Sequence, residues 1–126
     1  MDRAPKVFVV DDEWIISWSS GMILRSSGFE VYTFTDPHEA LRMASEINPD
    51  LLITDVHMPD LSGIEVAIGV TSQCAGCKVL LVSGFAATLE LLCEARRLGH
   101  DFKLLQKPVP PSVLIAAAKE VLGSKA

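Results

Sequence analysis

The stretch Leu51-Leu52-Ile53-Thr54-Asp55-Val56-His57-Met58-Pro59-Asp60-Leu61-Ser62-Gly63 decides the fold. Its first three residues form an apolar run without alternation, as expected of a parallel strand buried on both faces. Asp55 follows, so its carboxylate stands where the strand leaves the core. Pro59 and Gly63 then mark a loop. Open α/β sheets bind ligands at the carboxyl ends of their strands. A lone acidic residue there reads as a solvated strand end, but this chain supplies companions.

Working outward, Lys6 to Val10 is a second apolar run, and it ends on Asp11-Asp12-Glu13. A helix is expected from about Glu13 to Ser27, stopped by Gly28. Glu30 to Phe34, rich in β-branched and aromatic residues, reads as the next strand. Asp36-Pro37 is a helix start, an N-cap followed by proline at the first helical position. That helix carries Ala40, Leu41, Ala44 and Ile47 inward and ends before Pro49. Downstream of Leu51 to Gly63, a helix from about Gly63 to Thr71 places Ile64, Ala67 and Ile68 at helical spacing. Lys78 to Val82 is the fourth strand, ending on Ser83-Gly84. A helix from Ala87 to Leu98 stops at Gly99, and Phe102 to Leu105 gives a weaker fifth strand that runs into Gln106-Lys107-Pro108. Pro110-Pro111-Ser112 opens a last helix to about Leu122, capped by Gly123.

Five strands alternating with five helices over short loops predict a doubly wound (βα)5 fold, a parallel sheet covered on both faces. Right-handed crossovers leave the flavodoxin-like strand order 2-1-3-4-5 as the candidate. The 126 residues, with no repeat, linker or low-complexity segment, read as one domain over residues 1–126, without an attached output domain. No apolar run approaches the roughly 20 residues of a membrane span, and Met1-Asp2-Arg3 does not begin a signal peptide. A net charge of -5 argues against direct nucleic-acid binding. Three cysteines cannot all pair within one chain, which favours a reducing, cytoplasmic setting.

In the expected topology Asp11, Asp12, Asp55, Ser83 and Lys107 converge at one sheet edge. Carboxylates about 5 Å apart at an effective dielectric near 20 repel by roughly 3 kcal/mol per pair. Such a cluster calls for a cation. Oxygen ligands and an open edge suit a hard ion, and Mg²⁺ fits because it binds with few carboxylates and several waters. Lys107 adds a fixed positive charge and Ser83 a hydroxyl, with Gly84 leaving room beside it. This set is suited to holding a phosphoryl group.

The V-V-D-D-E of Val9 to Glu13, the D-V-H-M-P-D-L-S-G of Asp55 to Gly63, the V-S-G of Val82 to Gly84, and Lys107-Pro108 together resemble the receiver domain of two-component response regulators. The resemblance covers essentially the whole chain. It implies that Asp55 is the phosphoacceptor and that Asp11 and Asp12 are the acidic metal pair, with Asp12 the more direct ligand. It also implies that the backbone carbonyl of His57 is a further Mg²⁺ ligand, Ser83 the switch hydroxyl and Lys107 its charged partner. The Lys107-Pro108 bond is cis in many relatives. A histidine kinase or phosphotransfer protein is the implied donor. The output protein is unknown, and a weak or phosphorylation-dependent dimer is left open. Side chains that tune phosphate lifetime in the family fall at Glu13, His57 and Phe85.

The chain departs from the pattern at Leu104. Many receivers place Tyr or Phe three residues before the lysine, whereas the nearest aromatic here is Phe102. Cys74-Ala75-Gly76-Cys77 lies before a strand, not at a helix start as in a thioredoxin-like pair, and reads as a loop. Zinc would need two more ligands, and Cys93 belongs to a separate helix. Trp14 and Trp18 lie one turn apart, about 200° around their helix from Ile16, and are expected to be partly exposed. They either cover the helix edge or form a docking surface. His38 and His100 read as turn or helix-end residues, and Met22, Met43 and Met58 as packing.

Three functions are weighed. The leading one is a phosphorylatable switch, not an enzyme; the alternative is a receiver-like docking module that works without phosphorylation. The complete acidic set with Lys107 favours the first. A flavodoxin-like enzyme would place FMN phosphate on the loop after the first strand, which here is Asp-Asp-Glu and repels it. An aspartyl phosphohydrolase commonly has a second Asp two residues after its nucleophile, where this chain has His57.

Overall fold

The computed structural model describes residues 3–84, 88–97, 99–100 and 102–123. The expected helix ends at Ala87 and Leu98, and Phe85, lie outside the described residues. Strands and helices alternate as β1 (Lys6–Val10), α1 (Trp14–Arg25), β2 (Glu30–Phe34), α2 (Pro37–Ile47), β3 (Leu51–Asp55), α3 (Gly63–Gln73), β4 (Lys78–Ser83), α4 (Thr88–Arg97), β5 (Lys103–Gln106) and α5 (Pro111–Gly123). The sheet is parallel, in the order β2-β1-β3-β4-β5, as expected of the doubly wound fold. Boundaries differ from the sequence reading by one or two residues, as fraying ends do.

All five residues of β3 are buried. Because successive side chains alternate faces, the central strands feed two cores. Phe8, Val10, Leu52 and Leu81 pack with Ala40 and Ala44 of α2 and with Val66 and Val70 of α3. Val7, Val9, Leu51, Ile53 and Leu80 pack with Leu24 of α1 and with Leu114, Ala117 and Ala118 of α5. An apolar residue at every position of β3 up to Ile53 is the direct consequence of burial on both sides.

Register then sets the heights of the polar strand ends. Val10 pairs with Thr54, so the next residues, Asp11 and Asp55, emerge at one level. Asp55 pairs with Val82, which puts Ser83 one step beyond. Ser83 pairs with Gln106, which puts Lys107 one step further.

The helix starts are chemically specified. The Asp36 carboxylate accepts from His38 N at 2.9 Å, with Pro37 in the first turn of α2. At α3, Glu65 N donates to Ser62 Oγ at 3.1 Å and Ser62 N donates to Glu65 Oε1 at 2.9 Å, a reciprocal capping box. Gly63 N donates to the Val56 carbonyl at 2.8 Å, which draws the start of α3 under the end of β3. A Cβ at Gly63 would collide with the Asp55 carbonyl oxygen and stand 2.9 Å from Val56 Cα. Glycine is required there by contact, not merely by turn preference.

The outer face of α1 is apolar. Trp14 is 64% exposed and Trp18 53%, in line with the expectation for the pair. Met22 was expected in packing, but it lies one turn beyond Trp18 on the same stripe and is 48% exposed. Met43 and Met58 do pack against the core.

Replacing Gly63 with Ala should shift backbone at Asp55 or at α3, costing about 1–3 kcal/mol of unfolding free energy by the overpacking scale. A urea titration measures this; an unchanged midpoint would show that the approach is not tight.

Candidate functional site

Three turns of chain bring the acidic residues together. Asp11 N donates to the Phe34 carbonyl at 3.0 Å, which fixes the chain as it leaves β1. Asp11 Oδ1 accepts from Glu13 N at 3.0 Å, so the start of α1 orients this carboxylate. On β3, the buried Thr54 hydroxyl donates to the Asp55 carbonyl at 3.0 Å, and Val56 N donates to the Val82 carbonyl at 3.1 Å. Asp55 is thereby held at the last rung of the sheet. One ligand oxygen from each of Asp11, Asp12 and Asp55 lies within 4.8 Å of the others. Asp11 and Asp55 are buried, and Asp12 is exposed.

Lys107 reaches this cluster from the end of β5. Its backbone N donates to the Ser83 carbonyl at 3.0 Å, and the Lys107–Pro108 peptide bond is cis, as the resemblance implies. Its Nζ stands 3.4 Å from Asp11 Oδ2 and 3.4 Å from Asp55 Oδ1. Both contacts are longer than the roughly 2.7–2.9 Å of a tight charge-assisted hydrogen bond. One ammonium is shared between two carboxylates, and it leaves oxygen lone pairs for another cation.

The proton affinities follow from this geometry. Burial, and then the Asp11 carboxylate, push the Asp55 carboxyl above its ordinary range, against the pull of Lys107. For Lys107, burial works to lower the ammonium's affinity, but Asp11 and Asp55 overcome it and hold the group above its ordinary value. The cluster therefore carries more negative charge than its own lysine neutralises. Three carboxylate oxygens on a half-open edge fit a hard divalent cation such as Mg²⁺, with water completing its shell.

Of the other residues singled out from sequence, Ser83 is buried at the end of β4, joined to Lys107 through backbone. His57 is half-buried in the loop after β3. A Cβ at Gly84 would meet Lys107 Cβ at an ordinary 3.6 Å, so the room expected there is not a steric demand. Leu104 pairs with Leu81 and packs partly buried against the core, while Phe102 stacks on His100 at 5.5 Å between ring centroids. His38 is exposed at the start of α2.

The cysteines lie apart from the cluster. Cys74 Sγ donates to the Ala44 carbonyl at 3.3 Å and Cys77 Sγ to the Lys78 carbonyl at 3.4 Å. The connection is a short loop as expected, yet both thiols are buried and free, and Cys93 is exposed. Burial pushes both loop thiols up, Cys77 to about 12, which keeps them protonated and unreactive. Sequence reasoning missed Thr54 and the contact demand at Gly63. The S-G-I-E of Ser62 to Glu65, a capping-box pattern, was the available signal for where α3 begins.

Residues 7–119 match the response regulator receiver domain. The chain is 34% identical over 119 residues to the transcriptional regulatory protein PrrA of Mycobacterium tuberculosis, covering 94% of this chain and 50% of that protein. It is 32% identical to the transcriptional regulatory protein FixJ of Azorhizobium caulinodans, covering 100% of this chain and 59% of that protein. The chain thus spans about half the length of the curated relatives it matches. Among solved structures, a CheY-like receiver domain protein from Methanospirillum hungatei superposes with a TM-score of 0.88 at 29% identity, covering 97% of this chain and 96% of that one. Chemotaxis protein CheY4 of Vibrio cholerae superposes with a TM-score of 0.83 at 30% identity, covering 94% and 98%.

The raised carboxyl at Asp55 has a consequence for stability. The folded state holds this proton more tightly than the unfolded chain, so stability is lost as pH rises from about 3.9 through the raised value. Without divalent cation, Asp55→Asn should therefore unfold at a higher temperature than wild type at pH 7. The difference should vanish at lower pH. A wild type more stable than the variant at pH 7 would contradict it.

Proposed function

The chain belongs to the response regulator receiver family, and on that premise we propose that it is a phosphorylatable signalling switch with Asp55 as phosphoacceptor. The observation that carries this reading is the shared Lys107 ammonium, 3.4 Å from both Asp55 and Asp11, beside a third carboxylate. An Asp55 oxygen attacks the phosphorus of a phosphohistidine; a P–O bond forms, the P–N bond breaks, and the imidazole leaves carrying a proton. Asp11, Asp12, Asp55 and the backbone carbonyl of His57 would hold Mg²⁺, which when bound supplies positive charge toward the phosphoryl oxygens. Lys107 pairs with another phosphoryl oxygen, and the Ser83 hydroxyl donates to a third.

The acyl phosphate adds up to two negative charges and three acceptor oxygens. Lys107 and Ser83 follow that charge. Since Lys107 N is bonded to the Ser83 carbonyl, their movement is shared by the ends of β4 and β5. With Leu104 in place of the usual aromatic, the bias on α4 and β5 runs through aliphatic packing. Water attack on the acyl phosphate resets the switch. Donor and receiver meet in the cytoplasm, and the donor is a histidine kinase or a phosphotransfer protein. Among the described residues no helix is long and apolar enough to cross a membrane.

The exposed Trp14–Trp18 stripe begins beside Asp12 and serves as the donor's contact surface. Incubation with a radiolabelled, histidine-phosphorylated phosphotransfer domain should move label onto wild type and not onto Asp55→Asn. Label on Asp55→Asn would overturn the assignment. With the cognate donor limiting, Trp18→Ala should slow transfer by about tenfold, a loss near 1.4 kcal/mol typical of an interface anchor. An unchanged rate would remove Trp18 from the contact.

A further inference from the structure

On the α1–α5 side of the sheet a cavity of about 500 Å³ runs inward from a mouth that Asp11, Asp55 and Lys107 share. Its interior is apolar, walled by Ile16 and Ile23 of α1, Ile53 of β3, Val82 of β4, and Val109 and Leu114 at α5. The sequence explains why the space is open. The flank of α1 that faces it carries Ser19 and Ser20, side chains too small to fill it. Gly21 meanwhile seats the helix close against β2, where a Cβ would come within 2.7 Å of Thr33 Cγ2. Ser17 and Ser19 return their hydroxyls to carbonyls of the preceding turn, but Ser20 makes no such bond among the described residues. Its hydroxyl is a polar handle inside an apolar wall.

Sites for small molecules share this make-up: several hundred Å³, mostly apolar, with a few convergent polar groups. The polar end selects the ligand. Two carboxylates face one ammonium at the mouth, and Asp12 brings a third carboxylate to the same cluster. An anionic head group would meet net negative charge there; a cationic one would meet carboxylate oxygens that Lys107 only half engages. We infer that the cavity binds a small amphipathic cation, its aliphatic or aromatic body between α1 and α5 and its ammonium at the mouth beside Asp11 and Asp55. A molecule so placed has its head next to Asp55 and gives the switch a chemical input. That consequence rests on the phosphoacceptor reading; the binding itself does not, and the test addresses binding alone.

Hexylammonium chloride is the probe, titrated into protein labelled at its methyl groups and backbone amides and followed by NMR. Saturable shifts are expected at the methyls of Ile23, Val109 and Leu114. Hexanoate should bind at least about tenfold more weakly, as should the variant Ser20→Leu, in which the space is filled. The wild-type comparison of the two probes decides the matter even if that variant does not fold. Three results would each overturn the inference: no saturation with hexylammonium, equal binding of hexanoate, or shifts confined to Asp11, Asp12 and Asp55 that ammonium chloride reproduces.

Discussion

One ammonium group shared by two buried carboxylates is the constraint around which the molecule is arranged. Lys107 Nζ lies 3.4 Å from Asp11 and from Asp55, and those residues stand 96 and 52 positions away in sequence, at the ends of strands that meet only in the folded sheet. Like charges at this spacing repel by about 3 kcal/mol per pair at an intermediate dielectric. Only a stiff frame keeps them together. Backbone bonds supply it: Asp11 N to Phe34, Val56 N to Val82 and Lys107 N to Ser83 tie each strand end to its neighbour. The site is stable enough to exist and under-neutralised enough to attract a cation.

The same frame explains why the site resides where it does. β3 is buried on both faces, so its first residue able to bear charge is the one at its carboxyl end. Parallel pairing brings every other carboxyl end to that edge. The start of α3 is drawn beneath Asp55 by the Gly63–Val56 hydrogen bond and by the absence of a side chain at Gly63. The opposite pole of the design is α1, which covers the sheet with small residues and turns its large ones, Trp14, Trp18 and Met22, to solvent. Its packing is loose on the flank facing α5, and this opens the space beside the acidic cluster.

Much of this was legible in the sequence, for physical reasons that differ by residue. Continuous apolar runs ending on Asp or Ser declare buried parallel strands, and right-handed crossovers leave few ways to order them; β2-β1-β3-β4-β5 followed. Asp11, Asp12, Asp55 and Lys107 could be brought together because topology alone places strand ends. Other features depend on distances no pattern carries. Gly63 reads as a turn residue, and its contact with the Asp55 carbonyl appears only when α3 is in place. Met22 reads as packing because methionine usually packs, yet it shares a stripe with two exposed tryptophans. Cys74 and Cys77 read as loop residues, and they are buried because the loop folds back against α2 through the Ala44 carbonyl. The cavity is a negative feature, made by side chains that are too small, and a pattern of apolar positions does not register it.

The most direct test of the account is the mass of the intact protein after incubation with acetyl phosphate and Mg²⁺, followed by mapping of the modified residue. Wild type should gain one phosphoryl group on Asp55, and chelation of the metal should abolish the gain. A phosphoryl group mapped to any other residue, or uptake indifferent to chelation, would contradict the claim that this acidic cluster and Lys107 form a metal-assisted phosphoryl acceptor.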